Sequence, residues 1–167
     1  MKITVLSHFL FDEEMKKMNL NDLNIDGTNI ACISIIGTEP CLRSYLEEPD
    51  TKHYFNNSHD NVLNLEFDDL EKDIEWKGET FKAMSEEQAK ITLAFIERMI
   101  DNNVQNVYIH CRAGMSRSRA IAEFIYRLCR LEGKDVEYGE RNDYIQLLNY
   151  GVLSKLNHAL MEKELKK

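Results

Sequence analysis

The chain has 167 residues, enough for one domain with a sizeable core, and its hydrophobic and charged fractions, 43% and 30%, are those of an ordinary soluble protein. A formal net charge of −8 excludes a broad nucleic-acid or anionic-membrane surface, because such partners need a concentrated basic face. Nowhere do about eighteen or more apolar residues run together, and Met1–His8 carries too little apolar length for a signal peptide, so the expected location is the cytoplasm, with no membrane partner.

In chain order, Lys2–Leu6 predicts a short strand and Phe9–Leu20 a turn or two of helix, with Met15 and Met18 as core filler. Asn29–Ile36 is nearly continuously apolar and bounded by Gly37, which predicts a buried strand. Residues 37–60 hold Pro40 and Pro49, and a short helix is expected around Leu42–Glu47 before a polar loop. From Asn61 to Leu70, the apolar residues Leu63, Leu65 and Phe67 alternate with polar ones, as in a half-buried strand that ends on the acidic pair Asp68-Asp69. Ser85-Glu86-Glu87-Gln88 matches a capping box and opens a helix with Ala89, Leu93, Ile96 and Ile100 on one stripe, ended by Asp101-Asn102-Asn103. A further strand leads to Cys111, and Arg117–Leu131 forms a helix with Ile121, Ala122, Ile125 and Leu128 on its apolar side and Gly133 as its stop. Residues 142–149 and 152–165 predict two more helices, broken near Gly151. Strands alternating with helices before a helical C-terminal third predict one α/β domain over 1–167, built on a mostly parallel sheet of about four or five strands flanked by helices.

The chemistry concentrates where the strand ends at His110 and Cys111. Between Cys111 and Arg117 the chain must turn sharply, and the small residues Ala113, Gly114 and Ser116 let successive backbone N–H groups point inward as a nest. The helix that follows adds its positive N-terminal end. Such a cradle fits a phosphate-sized dianion, and its field favours a thiolate at Cys111, whose ordinary pKa is about 8.5. Arg117 supplies a planar fork for two equatorial oxygens, which a lysine does not. Phosphoryl transfer to sulfur also needs an acid to protonate the leaving oxygen. The acidic pair at the end of the preceding strand is the candidate, since catalytic residues of open α/β sheets gather at that edge.

The run His110-Cys111-Arg112-Ala113-Gly114-Met115-Ser116-Arg117-Ser118 resembles the signature of the cysteine-dependent protein tyrosine phosphatases, and its Ala-Gly-x-Ser-Arg-Ser wording resembles the dual-specificity branch most. The resemblance implies a catalytic thiolate at Cys111, a phosphate-binding Arg117, and amides from Arg112, Ala113, Gly114, Met115, Ser116 and Arg117 around the phosphoryl oxygens. It implies that Ser118 donates a hydrogen bond to the sulfur and that His110 orients the loop. It places the general acid at Asp69, with Asp68 the alternative. Asp69 precedes Cys111 by more than the family's usual spacing, so the segment holding Trp76-Lys77-Gly78 is expected to form a longer flap. The implied activity is metal- and cofactor-free hydrolysis of phosphotyrosine, and of phosphoserine or phosphothreonine if the pocket is shallow, in phosphorylated protein substrates.

Similar loops serve RNA 5′-triphosphatases and phosphoinositide phosphatases, although the latter often carry loop lysines, which Arg112, Ala113 and Met115 do not supply. A catalytically weak phosphate-binding module is the reading from a different class. His8, His53, His59 and His158 show no metal-ligand spacing. Cys32, Cys41, Cys111 and Cys129 form no disulfide framework, though Cys32 or Cys41, if adjacent to Cys111, would trap its sulfenic acid as a reversible disulfide.

Overall fold

A computed structural model describes residues 1–38, 52–139 and 147–166. The helix expected around Leu42–Glu47, both prolines, Cys41 and most of the helix expected over 142–149 lie outside the described residues. The elements in chain order are β1 (Lys2–Ser7), α1 (His8–Lys17), β2 (Ile30–Ile36), β3 (Val62–Glu66), β4 (Ile74–Trp76), β5 (Glu79–Phe81), α2 (Glu86–Asp101), β6 (Asn106–Cys111), α3 (Arg117–Leu131) and α4 (Tyr150–Glu164).

Four strands form one parallel sheet in the order β1-β6-β2-β3, with Ser7 opposite Cys111 and Ser34 opposite His110. A parallel sheet must be covered on both faces. Alternation along β6 divides the work: Val107, Ile109 and Cys111 join the larger core with α2, α3 and α4, while Tyr108 packs on a second core that holds Phe11 and Met15 of α1. The expected apolar stripes of α2 and α3 are buried, as is Met15, and Met18 packs against the second core. All four strands of this sheet run the same way, so Ser7, Ile36, Glu66 and Cys111 end at one edge.

Local chemistry sets the helix boundaries. Ser85 and Gln88 form the capping box of α2, accepting and donating as the sequence predicts. Gly133, at φ +69°, ends α3 in a Schellman turn in which Lys134 N donates to Cys129 O at 2.8 Å and Gly133 N to Arg130 O at 3.2 Å. The break expected near Gly151 falls just before it, at Leu148 and Asn149. Helix α4 already begins at Tyr150, capped by Asn149, and Gly151 serves close packing: a Cβ there would meet the Glu71 Cα at 2.6 Å.

The expected flap is an antiparallel hairpin of β4 and β5. Lys77 and Gly78 turn it with φ of +53° and +82°, the two left-handed positions that a tight hairpin requires. The hairpin fills part of the span between Asp69 and Cys111.

Candidate active site

Strand β6 delivers Cys111 to the sheet edge and α3 begins at Arg117, leaving Arg112–Ser116 to make the turn. Gly114 is held at φ +69°, and a Cβ there would lie 2.6 Å from the carbonyl carbon and oxygen of Leu6 and 2.7 Å from Ser7 N. The end of β1 therefore braces the turn, and glycine is what lets the two backbones meet. Three carbonyls of the turn are tied down: His8 N donates to Arg112 O at 3.2 Å, Arg119 Nε to Gly114 O at 2.9 Å, and Ala120 N to Ser116 O at 3.0 Å. By contrast, the backbone amides from Arg112 through Arg117 donate to no protein group among the described residues. That asymmetry is the electrostatic signature of an anion nest.

The start of α3 reinforces it. Ser116 occupies the N-cap position but makes no side-chain cap; its hydroxyl donates instead to Asp69 Oδ1 at 2.7 Å. The partial positive charge of the helix end is therefore left facing the turn. Arg117 is 7% exposed, and its Nη1 donates to Phe67 O at 2.7 Å while its buried Nε has no hydrogen-bond partner among the described residues. No carboxylate of the described residues pairs with it. A buried cation without a counter-charge is costly by several kcal/mol, and an oxyanion received on its Nε edge would relieve that cost.

Cys111 is 2% exposed, and its Sγ lies 3.1 Å from Ser118 Oγ. Burial pushes the thiols of Cys32 and Cys129 up, so neither is a competing nucleophile. Cys32 is also wrongly placed for a disulfide with Cys111. It faces the second core and pairs in register with Tyr108, three residues or about 10 Å along β6 from Cys111, beyond the reach of an S–S bond. A reversible disulfide between Cys32 and Cys111 is thereby excluded.

The acidic pair divides cleanly. Asp68 is committed to structure: its carboxylate accepts from Thr38 N at 3.3 Å, Thr38 Oγ1 at 2.5 Å and Lys82 N at 2.9 Å, fastening the foot of the hairpin. Asp69 reaches the loop. Its Oδ1 accepts from Ser116 Oγ at 2.7 Å and from Asn149 Nδ2 at 2.8 Å. Compared with known proteins, the chain matches no family model, no curated protein and no solved structure.

Asn149 is a site residue that sequence reasoning misses. It is 6% exposed, caps α4 by accepting from Val152 N at 3.0 Å, and holds Asp69 with the other end of its amide. Asparagine is a good N-cap, which is legible in the chain, but the tertiary contact is not. Ser34 is missed as well, despite being a polar interruption of an apolar strand. Fully buried, it lies 2.7 Å from His110 Nε2 and 2.6 Å from His53 Nδ1. Among the described residues no cluster of His, Cys, Asp or Glu could hold a metal ion, and no helix is long and apolar enough to cross a membrane.

Proposed function

We propose that the protein is a phosphomonoester hydrolase of the protein tyrosine or dual-specificity type, acting on phosphorylated protein substrates through a cysteinyl-phosphate intermediate. One observation carries the reading: the buried Cys111 is followed by a run of backbone amides that donate to no protein group among the described residues, and the run ends on the buried Arg117, whose Nε has no partner among them. Three equatorial oxygens of a phosphoryl group would meet the amides and Arg117, which puts charge stabilisation where the transition state needs it.

In the first step the Cys111 thiolate attacks phosphorus as the P–O bond to the leaving group breaks, and Asp69 gives its proton to that oxygen. Two hydrogen bonds are donated to Asp69 Oδ1, which leaves Oδ2 as the oxygen to hold and pass that proton. In the second step water attacks the phosphorus, Asp69 takes its proton, and the sulfur departs as a thiolate that Ser118 Oγ stabilises by a hydrogen bond. Phosphate is released and both residues return to their starting states.

The test is steady-state hydrolysis of para-nitrophenyl phosphate and a phosphotyrosyl peptide in EDTA. Cys111→Ser abolishes turnover, and Asp69→Asn loses roughly two to four orders of magnitude on the peptide, less on the nitrophenyl ester because its leaving group needs less protonation. A larger loss in Asp68→Asn reverses the acid assignment, and full activity in Cys111→Ser removes the mechanism. Tight phosphate binding with no turnover in the wild-type protein would instead support a binding module.

A further inference from the structure

His110 shares a hydrogen-bond chain that crosses from β6 to β2 and on to the segment before β3. Its Nε2 lies 2.7 Å from Ser34 Oγ, and the same oxygen lies 2.6 Å from His53 Nδ1. His53 Nε2 in turn lies 4.0 Å from Glu66 Oε1. The His110 ring is held in plane by Phe11, 4.3 Å away and tilted by 35°, and by the edge of His8 at 5.1 Å. A buried hydroxyl in a parallel strand needs partners, and these two imidazoles are the ones Ser34 has among the described residues.

We infer that Ser34 and His53 are positioning residues for the nucleophile loop, fixing His110 as its Nε2–H tautomer and so locking the ring that immediately precedes Cys111. The inference rests on Cys111 being the nucleophile. Proton counting decides the tautomer. Ser34 has a single hydroxyl proton for two imidazole nitrogens, so one ring accepts from it and the other donates to it. Glu66 beside His53 Nε2 favours the proton on that nitrogen, which leaves Nδ1 as the acceptor. Ser34 therefore donates to His53 and accepts from His110 Nε2–H. Protonating His53 makes its Nδ1–H a donor to Ser34 and frees the Ser34 proton, so His110 Nε2 no longer has to donate and the Nδ1–H tautomer becomes open to that ring.

Among the described residues, the titratable groups facing this chain include Glu66 of β3 at His53, and His8 of α1, with its Asp12 partner at 3.9 Å, at His110. Cutting the chain frees the ring to change tautomer and weakens the alignment of the turn that follows it.

Long-range proton–nitrogen NMR correlation of the histidine rings, combined with the pH profile of Cys111 alkylation by iodoacetate, tests this; the reagent is an anion that the turn would draw in. Neither measurement needs phosphatase turnover, so their failure is distinct from failure of the proposed activity. At about pH 8, where unperturbed histidines are neutral, wild-type His110 carries its proton on Nε2. Ser34→Ala and His53→Leu, each verified as folded by thermal unfolding, give mixed tautomers. Both slow alkylation by about three- to tenfold, the scale of one net hydrogen bond, and shift its pH profile. Ser34→Thr restores the wild-type tautomer and rate. A wild-type His110 protonated on Nδ1 at that pH overturns the inference, as do variants that keep the wild-type tautomer and alkylation profile.

Discussion

Replacing Gly114 by alanine separates the two demands that the turn places on this residue. At φ +69° an alanine carries the left-handed penalty of about 1–2 kcal/mol. Its Cβ would also lie 2.6 Å from the Leu6 carbonyl, backbone that yields only if β1 moves, and overpacking of that kind adds about 1–3 kcal/mol. Together these remove about 2–5 kcal/mol from a domain whose total is typically about 5–15. Gly133 is the internal control, because it has the same φ of +69° and a Cβ added there would meet nothing within 4 Å. Gly133→Ala therefore loses only the conformational part. Urea unfolding of the two variants at constant m reads the difference directly, and protection of Cys111 from iodoacetate by vanadate reads the shape of the turn. Gly114→Ala should be the less stable by about 1–3 kcal/mol and should lose protection, while Gly133→Ala keeps it. Equal stability and equal protection in the two variants would refute the idea that β1 braces the turn.

Asn149→Ala loses the cap of α4, about 1 kcal/mol, and lowers kcat about tenfold with KM little changed, whereas Asn149→Asp keeps the cap and still loses activity because it sets a second carboxylate against Asp69; urea unfolding and steady-state kinetics separate the two. Asp68→Ala leaves Thr38 N, Thr38 Oγ1 and Lys82 N without their acceptor; stability falls by about 1–3 kcal/mol, and the loss of turnover is far smaller than in Asp69→Asn. His59 donates Nδ1–H to Asp26 at 2.7 Å and Nε2–H to Asp22 at 2.8 Å, which requires the imidazolium, and these hydrogen bonds raise its pKa above 6.5 against the opposing effect of burial. Its stabilisation is fully present below the unfolded value near 6.5 and is lost as pH rises through the higher folded value. The urea midpoint of the wild-type protein therefore falls as pH rises through that window, and His59→Gln flattens the fall.

What can be read from the sequence is what neighbours in the chain decide. The capping box at Ser85, the Asn102-Asn103 and Gly133 stops, the alternation that buries Leu65 and Phe67, and the offset between Cys111 and Arg117 are local patterns, and each lands in its expected element. The choice between Asp68 and Asp69 is not local. Both follow the same strand, and what distinguishes them is that Thr38 and Lys82 occupy one carboxylate while Ser116 and Asn149 engage the other. Gly151 marks the start of α4, but its own role is not local: it makes room for Glu71, a residue remote in the chain. Ser34 and His53 likewise acquire meaning only when β2 lies beside β6.

Rapid-quench mass spectrometry of the protein mixed with a phosphotyrosyl peptide measures the central chemistry most directly. The predicted result is a transient phosphoryl group on the peptide containing Cys111, formed before free phosphate accumulates, absent in Cys111→Ser and unaffected by EDTA. Turnover without any phosphocysteine at Cys111, or turnover that persists in Cys111→Ser, would contradict nucleophilic catalysis by this thiolate.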